Sequence, residues 1–190
     1  MTAVPFRYQS PDEDSARWAG FPFRDGDIVI STRSKTGTTW VQMICALLIF
    51  GTPELPAPLA ELSPWLDHLI EPRDAVYARL ATQQHRRFIK THTPLDGIPV
   101  DPRATYLVTA RHPLDMFVSL YHQSDNIDQA RLRQLTGQPE PSGPPRPPTP
   151  LPDRGRSGAG RETLSAAELA RYDARAAQLA PADLLSWLHR

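Results

Sequence analysis

The sequence predicts an α/β fold built on a parallel sheet, and three stretches carry that prediction. Ile28, Val29 and Ile30 form a β-branched run suited to a strand buried on both faces, and the run leads through Gly37 into a long apolar helix ending at Phe50. Phe88 and Ile89 read as the end of a second strand. Thr105 to Thr109 reads as a third, with a helix beginning near Pro113. Strands alternating with helical segments give parallel pairing with helices packed on the sheet.

Taken in order, a polar leader ends near Phe23, and the first strand and its helix follow to Phe50. Proline-punctuated helical segments run from Leu55 to Leu80, and the second and third strands bracket the Thr93 to Arg103 connection. Between Gly137 and Gly160 the chain is dominated by proline and glycine, with eight prolines from Pro139 to Pro152, and this stretch predicts a flexible insertion with no packed element. A helix starts at Ser165, where Ser165-Ala-Ala-Glu168 spells a capping box, and runs to Leu179; a short helix over Asp183 to His189 closes the chain. The organisation expected is a core over 1–136, an insertion over 137–163 and a helical segment over 164–190.

The turn between the first strand and its helix, Lys35-Thr36-Gly37-Thr38-Thr39-Trp40, has the layout of an anion-binding loop. Gly37 lets the backbone turn sharply and approach an anion. The helix that follows points its free N–H groups back at the loop, and the Lys35 ammonium with the Thr38 and Thr39 hydroxyls converges there. The order of residues departs from the usual nucleotide-triphosphatase loop, because Lys35 precedes the glycine.

The same stretch resembles the 5′-phosphosulfate loop of the cytosolic-type sulfotransferases, Tyr-Pro-Lys-Ser-Gly-Thr-Thr-Trp. Two further segments resemble that family in the same order. Lys90-Thr91-His92-Thr93-Pro94 is similar to its Lys-Thr/Ser-His-x-Pro segment, and the run from Arg111 through Asp115 and Ser119 to Tyr121-His122 is close to its 3′-phosphate motif. The resemblance implies a three-layer sandwich with a central parallel sheet, and a co-substrate, 3′-phosphoadenosine 5′-phosphosulfate. His92 would be the catalytic base and Lys35 the catalytic cation. Lys35, Thr36, Gly37, Thr38, Thr39 and Trp40 would hold the 5′ side and the adenine, and Arg111 with Ser119 the 3′-phosphate. It also implies that Ser119 couples to Lys35 and that no metal is needed.

These roles make chemical sense. Moving a sulfonate from a phosphosulfate to a hydroxyl or amine requires a base for the acceptor proton, a cation for the leaving phosphate and in-line alignment. An imidazole takes a proton near neutral pH, a lysine follows charge growing on the bridging oxygen, and the arginine fork matches a phosphate. Each residue also has an ordinary structural explanation. The threonines could cap a helix, His92 could bond backbone in a turn, Arg111 could pair with Asp115, and Ser119 could bond back to a carbonyl. Lys90 at a strand end is the weakest candidate. In the family that the chain resembles, the segments between these strands line the acceptor pocket, which makes Trp65, His68, Tyr77 and the Asp96 to Val100 loop candidates for it, with surface packing the ordinary alternative.

Where the family has Tyr-Pro before the lysine, this chain has Arg33-Ser34, which adds a positive charge beside the loop. No Arg-Lys-Gly segment, which in the family grips the 3′-phosphate, occurs in the 190 residues. The expectation is a chain lacking the family's C-terminal third, with a sheet whose buried edge is unpaired and invites self-association. Two other readings stand beside a working sulfotransferase. One is an inactive remnant that binds a phosphoadenosine nucleotide or a partner chain. The other is a kinase-like phosphoryl transferase, disfavoured by the loop order and the lack of an evident magnesium-binding Asp after a strand.

Composition bounds the remainder. The balance of 21 basic and 21 acidic side chains and a pI near 7.0 gives no electrostatic footprint for nucleic acid, so the partner expected is a small-molecule acceptor. Cys45 is the only cysteine and sits in an apolar helix, as a core thiol would. The leader lacks an apolar signal core, and the longest apolar run, Val41 to Phe50, is too short to span a bilayer, so no membrane span and a cytoplasmic location are expected.

Overall fold

A computed structural model describes residues 4–123 and 157–189. They divide into two compact units, Met1–Thr109 and Ala110–Arg190. The first is organised by a three-stranded parallel sheet of β1 (Ile28–Thr32), β2 (Phe88–Thr91) and β3 (Thr105–Thr109) in the order β2-β1-β3. Its helices are α1 (Thr38–Phe50), α2 (Leu59–Leu62) and α3 (Arg73–Thr82).

The central strand explains the layering. Every residue of β1 is buried, and successive side chains go to opposite faces. Val29 and its register partner Ile89 meet Trp18, Phe21 and Phe23 of the leader, with Val76 and Leu80 of α3. Ile28, Ile30 and Phe88 meet Cys45 and Ala46 of α1 on the other face. The result is helix, sheet and helix in three layers, with Cys45 buried as a core thiol. The leader is therefore part of the core, since its aromatics supply much of one layer.

A buried ion pair fixes the strands in register at their amino ends. Arg87, just before β2, donates from Nε and Nη2 to the two oxygens of Asp27, just before β1, at 2.8 and 2.5 Å. Arg87 also donates to the Pro22 carbonyl, and the Arg24 N–H donates to Asp27, so neither charge is left uncompensated. Pinned there, the carboxyl ends of β1 and β2 deliver their turns side by side.

Two sequence expectations change in this unit. Phe88 and Ile89 begin the second strand; β2 runs on to Thr91 because Pro64 to Leu66 lies along its outer edge, Lys90 N–H donating to Pro64 at 3.0 Å and Leu66 N–H to Lys90 at 3.2 Å. That bridge also covers the β2 edge at Lys90. Among the described residues β3 pairs with β1 alone, and this edge is exposed rather than buried, with Val108 61% accessible.

The second unit holds α4 (Pro113–Gln123), α5 (Ala159–Thr163), α6 (Ala166–Leu179) and α7 (Ala182–Leu188). The capping box forms as spelled, with Ser165 and Glu168 satisfying each other's backbone N–H groups. Residues 137–156 of the proline-rich stretch lie outside the described residues, but α5 begins inside its last part. Asp115 accepts the Gly158 and Gly160 N–H groups at 2.9 and 2.8 Å, and Gly160 sits so close to Leu114 that a Cβ would lie 2.4 Å from it. Glycine here permits packing, which is why the composition misled. Among the described residues no helix is long and apolar enough to cross a membrane.

Candidate functional site

Two turns leave the carboxyl ends of β1 and β2, and Thr32, the last residue of β1, touches both. Its hydroxyl shares a 2.5 Å hydrogen bond with that of Thr38, and its carbonyl accepts from Nδ1 of His92. The loop and the histidine are thus held to one residue.

The loop after β1 is shaped by two left-handed residues. Lys35 has φ 68°, the only positive φ outside glycine among the described residues, and Gly37 has φ 100° at the N-cap of α1. Gly37 has nothing within 4 Å of where a Cβ would stand, and it offers α1 no capping side chain. The first backbone bond of the helix is Val41 N–H to the Gly37 carbonyl, so the N–H groups of the preceding turn have no intrahelical acceptor. Open space, free donors and the positive end of the helix dipole suit an oxyanion.

The hydroxyls divide between structure and solvent. Thr36 donates from Oγ1 to the Arg33 carbonyl at 2.7 Å and shares a 3.0 Å bond with Thr109, bracing the loop against β3. Thr38 is buried on Thr32, whereas Thr39 is exposed at the helix start and Trp40 is 75% accessible. The structure gives Thr36 and Thr38 to holding the loop's shape, and leaves Thr39 and Trp40 facing outward.

The turn after β2 is closed. His92 is buried, and because a carbonyl only accepts, its Nδ1 carries the proton and Nε2 keeps its lone pair. The Trp65 ring meets the imidazole edge to face at 4.6 Å. His68 stacks on Trp65 at 4.1 Å, and Lys90 Nζ lies 3.9 Å from the Trp65 ring centre. Burial, with the charges of Lys90 and Arg33, pushes the imidazole down to about 4 despite the Thr32 carbonyl and Asp67. His92 is therefore neutral across the physiological range, with Nε2 able to accept a proton. Arg33 donates to the His92 carbonyl at 2.7 Å, which gives this departure from the familiar loop spelling a place in bracing the histidine turn.

Of the acceptor-pocket candidates, Trp65 and His68 join His92. Tyr77 does not: its ring packs on Phe21 and its hydroxyl donates to the Arg17 carbonyl, so it is core packing. Asp96 holds the Tyr8 hydroxyl. Lys90 proves better placed than a solvated strand end, since burial lowers its proton affinity against the pull of Glu13 and Asp67.

Arg111 and Ser119 belong to the second unit. Arg111 follows β3 in the chain and directly precedes His112 and α4, whose second turn carries the half-buried Ser119. His112 accepts the Leu114 N–H at Nδ1 and stacks on His189 at 4.6 Å.

Sequence reasoning missed Asp67. This carboxylate is fully buried and its Oδ2 accepts from Thr91, from Thr93 at 2.6 Å and from Trp18 Nε1 at 3.2 Å. The signal was present but faint: hydroxyls on both sides of His92 need an acceptor, and only the fold shows which one.

Residues 25–144 match the family model described as Sulfotransferase domain. Over 128 residues the chain is 51% identical to a glycolipid sulfotransferase of Mycobacterium tuberculosis, covering 67% of this chain and 39% of that protein. It is 32% identical over 114 residues to human sulfotransferase 2B1, covering 57% of this chain and 30% of that one. The chain thus spans about two fifths or less of the length of these curated relatives. Among solved structures, a retinol dehydratase in a complex with retinol and PAP matches 58% of this chain and 43% of its own at 21% identity, with a TM-score of 0.48.

Proposed function

The chain belongs to the sulfotransferase domain family, and from that premise we propose that it transfers a sulfonate from 3′-phosphoadenosine 5′-phosphosulfate to a hydroxyl or amine of a small-molecule acceptor. The observation that carries this reading is the state of His92. A buried imidazole, tied through Nδ1 to the strand that feeds the loop, keeps the Nε2 lone pair as the acceptor such a transfer needs.

The division of labour follows from the two turns. Nε2 of His92 takes the acceptor proton as the acceptor oxygen or nitrogen bonds to sulfur. Lys35 and the first-turn N–H groups of α1 neutralise the phosphate that leaves. Thr36 and Thr38 keep the loop in shape, Thr39 adds a hydroxyl to the 5′-phosphate, and the exposed Trp40 ring offers a face to the adenine. Arg111, with Ser119, recognises the 3′-phosphate. Trp65, His68 and Lys90 form the wall beside the base on the acceptor side. The likeness to a glycolipid sulfotransferase puts a glycolipid hydroxyl first in an acceptor screen.

The test is calorimetric titration with 3′-phosphoadenosine 5′-phosphate, then turnover with labelled donor. Binding that is lost in Arg111→Ala, while adenosine 5′-phosphate binding is kept, supports the reading; equal losses for both nucleotides overturn the 3′-phosphate role. A second reading, a nucleotide- or partner-binding chain without turnover, draws on the exposed β3 edge and on the accessible apolar residues Ile44 and Leu48 of α1. Nucleotide binding without transfer to any acceptor would select it.

A further inference from the structure

We infer that Asp67 is the positioning residue for His92, acting by holding the turn that presents the imidazole; this rests on His92 being the base. A single oxygen, Oδ2, accepts from the hydroxyls of Thr91 and Thr93, the two residues on either side of His92. The turn is closed on itself as well, because the Thr93 N–H donates to Thr91 Oγ1 at 2.9 Å. Trp18 Nε1 donates to the same oxygen at 3.2 Å, and Trp18 is fully buried in the core. A chain of contacts therefore runs from the hydrophobic core through one carboxylate to the two neighbours of the base.

The far side of the turn is held independently. Ser31 donates to the Thr93 carbonyl at 2.8 Å, and Arg33 donates to the His92 carbonyl. These bonds fix the backbone toward β1. Asp67 fixes it from the β2 side, and with both in place the ring reaches the Thr32 carbonyl with Nδ1. If the β2 side is released, the ring can swing and Nε2 no longer faces one direction. Displacing a catalytic group by about an ångström costs on the order of 10²-fold in rate.

Asparagine and alanine separate holding from charge. The second carboxylate oxygen, Oδ1, has no hydrogen-bond partner, so an amide can set its oxygen at the Oδ2 position, keep all three donors and put its NH2 where no partner is displaced. Asp67→Asn is thus expected to keep the clamp, and Asp67→Ala to lose it. Thr93→Val removes one arm at nearly constant volume.

The deciding measurement is the His92 Nδ1 proton by NMR in the 190-residue chain, which needs no turnover. In the parent chain and in Asp67→Asn this proton is expected to be protected from exchange by its bond to Thr32. In Asp67→Ala the protection should vanish while the amide spectrum stays dispersed, and in Thr93→Val it should weaken. A protected proton in Asp67→Ala overturns the inference. If Asp67→Ala loses its dispersed spectrum, Thr93→Val decides alone: weakened protection supports the clamp, and unchanged protection overturns it. Where turnover is measurable, kcat should fall about 10²-fold in Asp67→Ala with donor KM little changed, and Asp67→Asn should restore most of it. A parent chain that never transfers sulfonate counts against the proposed function, and the proton measurement still judges Asp67.

Discussion

The turns after β1 and β2 sit at neighbouring strand ends yet are built on opposite plans. The β1 turn is open, relies on backbone geometry, and spends two left-handed residues, Lys35 and Gly37, to expose N–H groups at the start of α1. The β2 turn is closed, relies on side chains, and buries His92 under Trp65 with Thr91 and Thr93 both bound to Asp67. An anion is best met by many weak donors in a roomy cradle. The role proposed for His92 asks instead for a single lone pair, that of Nε2, held in one direction. On the proposed roles, chemistry dictates how much order each turn needs.

The largest effects should come from removing the groups proposed to react. His92→Ala is expected to lower transfer by about 10² to 10⁴-fold while nucleotide affinity stays near the parent value. Lys35→Ala should lower both transfer and nucleotide affinity, because the open turn is the proposed nucleotide site. Initial rates and calorimetry on the two variants check this; turnover retained in both would end the role assignment, and identical affinity losses would erase the contrast between the turns.

Next is pH. His92 is pushed down to about 4 from an ordinary 6.5, so as pH falls through that window the unfolded chain gains its proton first and stability declines. Glu13 is pushed up to about 7 from an ordinary 4.5, chiefly by burial and then by Asp67 and Asp12. Its window has the opposite sign: as pH rises from 4.5 to 7 the unfolded chain releases the proton first, and stability again declines. The two slopes oppose each other between 4.5 and 6.5. Glu13→Gln should leave exposed the slope of the imidazoles that burial pushes down, His92 foremost with His68 and His112, so that denaturant midpoints rise with pH across that interval. A flat profile in the variant would mean the imidazoles are not charge-suppressed.

Backbone strain gives smaller effects. Gly37→Ala meets no atom, so its cost is the left-handed conformation alone, about 1 to 2 kcal/mol by denaturant unfolding, with weaker nucleotide binding. Lys35→Gly relieves strain of the same kind and should gain up to about 1 kcal/mol while transfer is lost. A loss of stability instead would show that Lys35 is held by contacts worth more than its strain.

Much of this was legible beforehand. β1, β3, α1, α4 and α6 fall where periodicity and caps put them, because a β-branched run, an N-terminal proline and a capping box act locally. The loop was legible for the same reason, since its glycine, lysine and threonines are contiguous. The closed turn was only half legible: His92 stood out, but Asp67 and Trp18 come from segments whose sequence says nothing of their meeting. The proline-rich stretch misled at α5, where Gly158 and Gly160 turn from chain breakers into donors for Asp115.

By itself, then, the sequence determined what local chemistry can encode: which residues extend or coil, where a glycine turn opens a helix, and that an imidazole follows the second strand. The tertiary structure decided that Thr32 joins the loop to His92, that Arg33 braces the histidine turn, and that Asp67 draws both flanking hydroxyls to one oxygen. The physical reason is range. Propensities and caps act over a turn or two, whereas the burial that neutralises His92 and the hydrogen bonds that aim it come from the leader, the Pro64 to Asp67 segment and β1, which meet only when the sheet has formed.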